Sequence, residues 1–429
     1  MKVDQKRRWK ILLVAGATMA LVAGMISTVP SAYAGGTIKA DDDKWISIGM
    51  GIRSSFNAQE RAAPNGDAYS NDFNINNARI YINGQVHKYI KFTFNTECFN
   101  CSVGAGAGFA GNSNIGLIDA IGKIEYNQYA NVWFGRTLVP TERGELNGPF
   151  YHPTFDGFRT PFFPNDNSGN VGAGGAGVFG RDNGVVFFGR VDPGFGHLQY
   201  VGSVFTGHRG PLAPGDTGPN AASSLMYAWR LTYNLLGDEF SHENPGYYTA
   251  GTYYGGYGDL LAIAVGGAHQ HNGVGTSANP QDYTGLVSDL LFEKLLGNNG
   301  DAGVFTLNAE FKRMWAQDLA ATLDPTCFCQ FSGSSEYVTL LYLMPNKIGW
   351  GQIQPYGRFT SIQPLHNIPM REEWEGGINY IISGFNARLS LYARTGDIET
   401  KGFVGPTFFT QGVQGNKVES VHFAVQLQY

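Results

Sequence analysis

Four cysteines stand in two tight pairs, Cys98 and Cys101 in "NTECFNCSV" and Cys327 and Cys329 in "PTCFCQF", and the chain has no others. Four thiolates could hold a zinc ion tetrahedrally, and a C-x-x-C can carry thiol–disulfide exchange. Covalent haem is excluded, because "CFNC" is followed by Ser102 and not by histidine. His269 and His271 lie two apart in "AHQHN" and would share one face of a strand. Two histidines alone hold a metal weakly, and a polar rim position accounts for them as well. Acids gather in "DAGVFTLNAEFKRMW" and "REEWEGG", but no G-x-S-x-G, H-E-x-x-H or phosphate-loop pattern accompanies them. No enzyme, cofactor or metal site is expected from these residues.

The chemistry open to the cysteines depends on where the chain resides. The first ten residues, "MKVDQKRRWK", carry five bases and one acid and precede the 15-residue apolar run "ILLVAGATMALVAGM". That run is shorter than the roughly 20 residues of a spanning helix. With Ala32-Tyr33-Ala34 after it, the pattern reads as a signal peptide over 1–34, leaving one domain over 35–429. Its removal takes five bases and one acid from a net charge of −5, giving −5 − (5 − 1) = −9. An acidic exported chain points to no nucleic-acid partner. In an exported protein the four thiols are disulfide candidates. Three connectivities are open. Local pairing, Cys98 with Cys101 and Cys327 with Cys329, would pin two loop tips. Cross-pairing would tie two loops across one end of the molecule.

The rest of the chain must supply the elements that hold such loops. It contains 59 Gly, 29 Phe, 22 Tyr and 7 Trp with only 15% charged residues. Segments alternating apolar with polar residues, bounded by Gly, Pro, Asn and Asp, recur throughout, and no long helical periodicity appears. In "ESVHFAVQLQY", Val421, Phe423, Val425 and Leu427 share one face, and Ser420, His422, Gln426 and Gln428 share the other. An exported chain built of such strands fits a transmembrane antiparallel β-barrel, apolar toward lipid and polar toward its lumen. Sixteen strands are expected over residues 44–429, with both termini on the periplasmic side. Short turns such as "HK", "PGFG" and "SG" alternate with longer outer loops, among them 99–114, 139–182, 208–223, 272–281, 318–334 and 397–417. The segment 237–259 breaks this alternation, being long where a periplasmic turn belongs. It is either an insertion or an extra hairpin, and the second would make 18 strands.

Several stretches resemble the phosphate-selective porin (O/P) family of Gram-negative outer membranes. They are "KWISIGMGIRSSF", "NNARIYINGQVHKYIKFTFNTE", "IDAIGKIEYNQYANVWFGRTLVPTERGE" and "GRDNGVVFFGRV". The similarity is patchy over 44–429 and strongest over 44–192 and the C-terminal hairpin. It implies a homotrimeric outer-membrane porin in which an inward-folded third loop, here 139–182, narrows a water-filled pore for small anions or other small hydrophilic solutes. The family's array of phosphate-binding bases cannot be matched here position by position. Alternatives are the barrel sheath of an outer-membrane porin–cytochrome complex and a surface receptor or adhesin.

Pore selectivity is set by charged side chains lining the narrow part. Alternation assigns Arg53, Arg79, Lys91, Lys123, Arg230, Lys312, Arg358, Arg388 and Arg394 to the lumen, because their neighbours form the apolar face. Asp119, Glu125 and Glu310 join them. The bases outnumber these acids, so mild anion preference is expected. The competing reading is that the bases form mixed ion pairs that fill the lumen and hold the loops.

Overall fold

The computed structural model describes residues 36–41, 43–99, 114–157, 159–161, 180–207, 220, 223–240, 244–276, 278–315, 332–365, 370–398 and 417–429. Alternation becomes structure most visibly between Val338 and Leu341. Val338 and Leu340 are 41% and 47% exposed, whereas Thr339 and Leu341 are 1% and 2% exposed. Successive side chains of a strand point to opposite faces, so one face meets the surroundings and the other is enclosed.

The strands are β1 (Gly36–Lys39), β2 (Trp45–Gln59), β3 (Asp72–His87), β4 (Ile90–Phe99), β5 (Asn114–Glu125) and β6 (Asn131–Leu138). After a loop holding the short helix α1 (Arg143–Leu146) come β7 (Arg181–Val191), β8 (His197–Phe205), β9 (Met226–Leu236), β10 (Leu260–Thr276), β11 (Asn279–Leu295) and β12 (Val304–Trp315). The chain continues through β13 (Gly333–Leu343), β14 (Lys347–Ile348), β15 (Gly351–Pro364), β16 (Arg371–Ser383), β17 (Ala387–Gly396) and β18 (Val418–Gln428).

All 18 strands belong to one sheet. Setting aside the short β1 and β14 leaves a closed antiparallel barrel of 16 strands. Neighbours in sequence pair in space, and β18 pairs with β2 from Gln428↔Gly51 to Ser420↔Gln59 to close the ring. Closure removes every sheet edge, which is how a β-structure satisfies its backbone in lipid. Where β18 ends, Tyr429 exchanges backbone hydrogen bonds with Met50, and β1 takes over the same edge of β2 from Gly36↔Ile48 to Lys39↔Trp45. Aromatic and branched side chains such as Phe94, Tyr227, Trp229, Phe311 and Trp374 cover the outside. This is an outer-membrane architecture, and among the described residues no helix is long and apolar enough to cross a membrane.

Two departures from the sequence-based expectation have physical causes. Residues 237–240 and 244–259 form no extra barrel hairpin. The segment is rich in Gly, Tyr and Pro, lacks alternation, and folds into the lumen, so the 18-strand alternative fails for the barrel wall. Residues 272–276 and 278–281 form no wide loop either. They continue β10 and β11, whose last pairs Val274↔Gln281 and Thr276↔Asn279 follow a register shift after Gln270. The Gly and Asn residues of "HNGVGTSANP" mark that irregularity.

Candidate functional site: the filled lumen

The third loop enters the lumen from the outer side, and every residue of α1 is buried. Its path is prepared by the inner face of β10, where Ala262, Ala264, Gly266 and Ala268 are small. A Cβ on Gly266 would collide with the Thr141 carbonyl. Bulk there would push the loop off the wall.

Polar anchors then fix the loop around the barrel. Arg230 donates to the Thr141 carbonyl at 3.0 Å and to Asp289 at 2.6 Å. Lys312 donates to Glu142 at 2.9 Å and to the Pro161 carbonyl at 2.7 Å. Arg143 bridges Asp289 at 3.2 Å and Glu239 at 2.6 Å, and the Gly144 amide donates to Glu310 at 2.9 Å. On the opposite wall Arg358 donates to the Thr154 hydroxyl at 2.8 Å and to Glu375 at 2.7 Å. Arg388 donates to the His152 carbonyl at 2.8 Å, and Gln426 to the Phe150 carbonyl at 2.8 Å. Arg53 donates to the Phe155 carbonyl, Arg394 pairs with Asp156 and with Glu375, and Arg159 pairs with Glu373.

All nine bases assigned from alternation face inward, and six of them hold the third loop: Arg53, Arg230, Lys312, Arg358, Arg388 and Arg394. Of the other three, Arg79 pairs with Glu97 at 2.5 Å, Lys91 pairs with Glu125 at 2.7 Å, and the Lys123 ammonium lies 3.9 Å over the Trp133 ring. This geometry is that of mixed ion pairs holding loops. Breaking one such buried pair by removing a partner typically costs about 3–5 kcal/mol, because a charge is left uncompensated.

Sequence reasoning missed the matching groups in the loop, Glu142, Arg143, Glu145, Asp156 and Arg159. The signal was present as both charge signs in "PTERGELNGPFYHPTFDGFRT", but no periodicity orients a loop side chain. Within the loop, burial would raise the Asp156 carboxyl, yet Arg394 and Arg159 hold it well below the usual range. Burial, with Arg53, Arg358 and Arg388 around it, pushes His152 well below its ordinary value and keeps it neutral. Glu145 differs. It is 1% exposed, neither carboxyl oxygen has a hydrogen-bond partner, and burial pushes it up to about 8.

The segment 237–259 rises from the periplasmic side to meet the loop. The Tyr248 amide donates to the Leu146 carbonyl at 2.9 Å and the Gly251 amide to the Tyr151 carbonyl at 3.0 Å. Glu239 receives Arg143, the Tyr247 hydroxyl donates to Asp119, and the Thr252 hydroxyl donates to Glu293 at 2.6 Å. Asp119 also receives Arg181 at 3.0 Å. Aromatic rings run across the junction. Trp133 and Tyr247 are 5.6 Å apart, Tyr247 and Tyr248 4.5 Å, Tyr248 and Tyr151 5.4 Å, and Tyr151 and Phe385 5.4 Å. Two periplasmic-side hollows flank the junction. One, of about 270 Å³, is lined by Lys123, Asn83, Tyr151, Tyr248 and Gln428 among others. The other, of about 360 Å³, is lined by Tyr254, Leu343, Lys347 and Ile381 among others. Each has one lysine and no acidic side chain among its lining residues.

Cys98, at the outer end of β4, is disulfide-bonded. Cys101, Cys327 and Cys329 lie outside the described residues, as does the identity of its partner. His269 and His271 have separate partners, Thr284 at 2.9 Å and Asp282 at 2.6 Å. Among the described residues no group of three or more His, Cys, Asp or Glu is placed to hold a metal ion. The signal-peptide residues 1–34 also lie outside the described residues.

No family model and no curated protein sequence matches the chain. Solved structures do match in fold. The chain is similar to OmpF of Salmonella typhi, solved with daunomycin, at a TM-score of 0.54 and 9% identity over 92% of this chain and 100% of that one. It is similar to an anion-selective porin from Comamonas acidovorans at a TM-score of 0.53 and 12% identity, over 90% of this chain and 100% of that one. The fold is that of outer-membrane porins.

Proposed function

We propose that the barrel is an outer-membrane porin, a water-filled channel through which small hydrophilic solutes diffuse passively. The observation that carries this reading is a closed barrel with an apolar outside and a polar, charged inside that is narrowed, not lined evenly, by an inward-folded loop. An adhesin needs no such interior. A cytochrome sheath needs a bore open enough for another protein, and here two segments of the chain already meet in it.

Mild anion preference is the finer part of the proposal. Its support has shifted from a ladder of bases, most of which are spent on ion pairs, to the periplasmic hollow of Lys347, whose lining holds no acidic side chain. Such local potential acts on passing ions more than paired charges do. The likeness to phosphate-selective porins supports a homotrimer and a constricting third loop, without supplying a phosphate site. Planar-bilayer recordings of the purified protein test both levels. Stepwise conductance is expected, with a reversal potential of anion sign under a potassium chloride gradient. Membranes that stay insulating would overturn the channel, and a cation-sign potential would overturn the preference alone.

A further inference from the structure

One strand between the grips of the third loop takes no part in holding it. On β12 Lys312 donates to Glu142 and to the Pro161 carbonyl, and on β15 Arg358 donates to the Thr154 hydroxyl. β13 runs between those two strands. Among the described residues it gives the loop no hydrogen bond and no ion pair. What it offers instead is apolar, Leu341 in a small buried cluster with Phe155 of the loop.

The inner face of β13 is nevertheless polar. Ser335, Tyr337 and Thr339 are successive inward positions, all three are buried, and none of their hydroxyls has a hydrogen-bond partner. Neighbouring strands continue the patch. Tyr337 lies opposite Thr360, and Thr339 lies opposite Asn308. The Thr360 hydroxyl and both polar atoms of the Asn308 side chain are buried without a hydrogen bond as well. Elsewhere on the inner wall Ser203 donates to the Ala228 carbonyl at 2.9 Å, and Ser390 to Asn379 at 2.7 Å. A buried hydroxyl without a partner has given up its bonds to water and gained none. Native proteins carry few such groups, so a patch of them on three adjacent strands points to a face that meets polar solute. The loop is pinned to β12 and β15 by charge-assisted bonds. Nothing of that kind ties it to β13, so this border parts more readily. The file of hydroxyls also leads to an exit. The next inward residues of β13 are Leu341 and Leu343, and Leu343 lines the periplasmic hollow of Lys347.

We propose that solutes cross the constriction along the inner face of β13, past the hydroxyls of Ser335, Tyr337 and Thr339, and emerge at the hollow of Lys347. This route rests on the channel reading and adds to it the residues that touch the solute. Neutral hydroxyls donate and accept alike, so the file passes solutes of either sign and leaves charge preference to the mouth.

Cysteine substitution with planar-bilayer recording tests the route. Ser335→Cys and Thr339→Cys place a thiol in it. Ser203→Cys and Ser390→Cys place one on wall where the native hydroxyl is bonded. Each variant, and the parent with its native cysteines, is recorded before and after a small methanethiosulfonate reagent that adds its side group to an accessible thiol. Conductance of the two β13 variants should fall by about half or more, as expected when bulk enters the narrow part of a pore. Conductance of the parent and of the two controls should hold. No fall at either β13 position, or an equal fall at a control position, would overturn the route and leave the channel standing. Membranes that stay insulating with the parent would sink the channel reading itself. Thr339→Val gives a second reading that needs neither a thiol nor a current. It removes only a hydroxyl that bonds nothing, so the variant should melt no lower than the parent by circular dichroism. A loss of several degrees would show that this hydroxyl holds structure, and would overturn the route even if the cysteine variants failed to fold.

Discussion

Glu145 carries a carboxyl with no hydrogen-bond partner inside a loop whose other charged groups, among the described residues, are paired. Glu310 and Lys312 from β12 and Arg181 from β7 bear on it, and it and Glu142 of the same loop repel each other. Burial is the largest influence, and it favours the proton. Folded Glu145 therefore keeps a proton that the unfolded chain has released between the ordinary value of 4.5 and about 8. Its contribution to stability is full below 4.5, falls as pH rises, and is lost above about 8. Glu145→Gln preserves the neutral shape and removes that dependence. The variant should match the parent in apparent melting temperature near pH 4.5 and exceed it by several degrees near pH 9, as followed by circular dichroism. Equal melting at both pH values would show that Glu145 has a partner after all. Residue roles of this kind were half legible in the sequence. The inward direction of Arg230 or Arg388 follows from the period of a strand. The loop carbonyl each one meets lies more than 80 positions away in sequence, as the 89-residue separation of Arg230 from Thr141 shows.

At the scale of elements, the barrel wall was readable and its contents were not. Strands announce themselves by alternation, and the expected boundaries of β3, β12 and β18 fall within a few residues of those found. The third loop was expected inside. The partner that rises to meet it was expected as a periplasmic insertion or an extra hairpin, because "NPGYYTAGTYYGG" has neither a strand period nor a helical one. Its order comes from the Tyr247 hydroxyl on Asp119 and two backbone hydrogen bonds to the third loop, joined by bonds within the segment such as Tyr253 on Glu239 and the Tyr247 amide on Asn244. Replacing residues 241–256 by a short Gly-Ser linker removes those contacts while leaving β9 and β10 paired along their length. Single-channel conductance should then rise, by about twofold or more if the segment fills a comparable share of the cross-section, with more frequent current fluctuation from a loosened third loop. An unchanged conductance would mean that the solute path avoids the segment.

For the molecule as a whole, the wall and the filling are one cooperative structure. Anchors of the third loop come from β2, β9, β12, β15, β16, β17 and β18, so the arc of wall from β9 round through β18 to β2 shares in holding it. Many of the anchoring contacts span great lengths of chain, 238 residues for Arg394 and Asp156 and 276 for Gln426 and Phe150. Folds dominated by such distant contacts form slowly, because loop closure must precede any reward.

The seam between β2 and β18 gives this a direction in time. The ring shuts where the first and last barrel strands meet, and β17 and β18 also carry three of the loop's grips, Arg388, Arg394 and Gln426. Biogenesis thus ends with a single act in which the interior is captured as the circle is completed. A chain ending at residue 417 should yield no compact, heat-modifiable band on unheated gels, however well its earlier hairpins form. The final eleven residues of strand are the clasp, and until they arrive there is no inside.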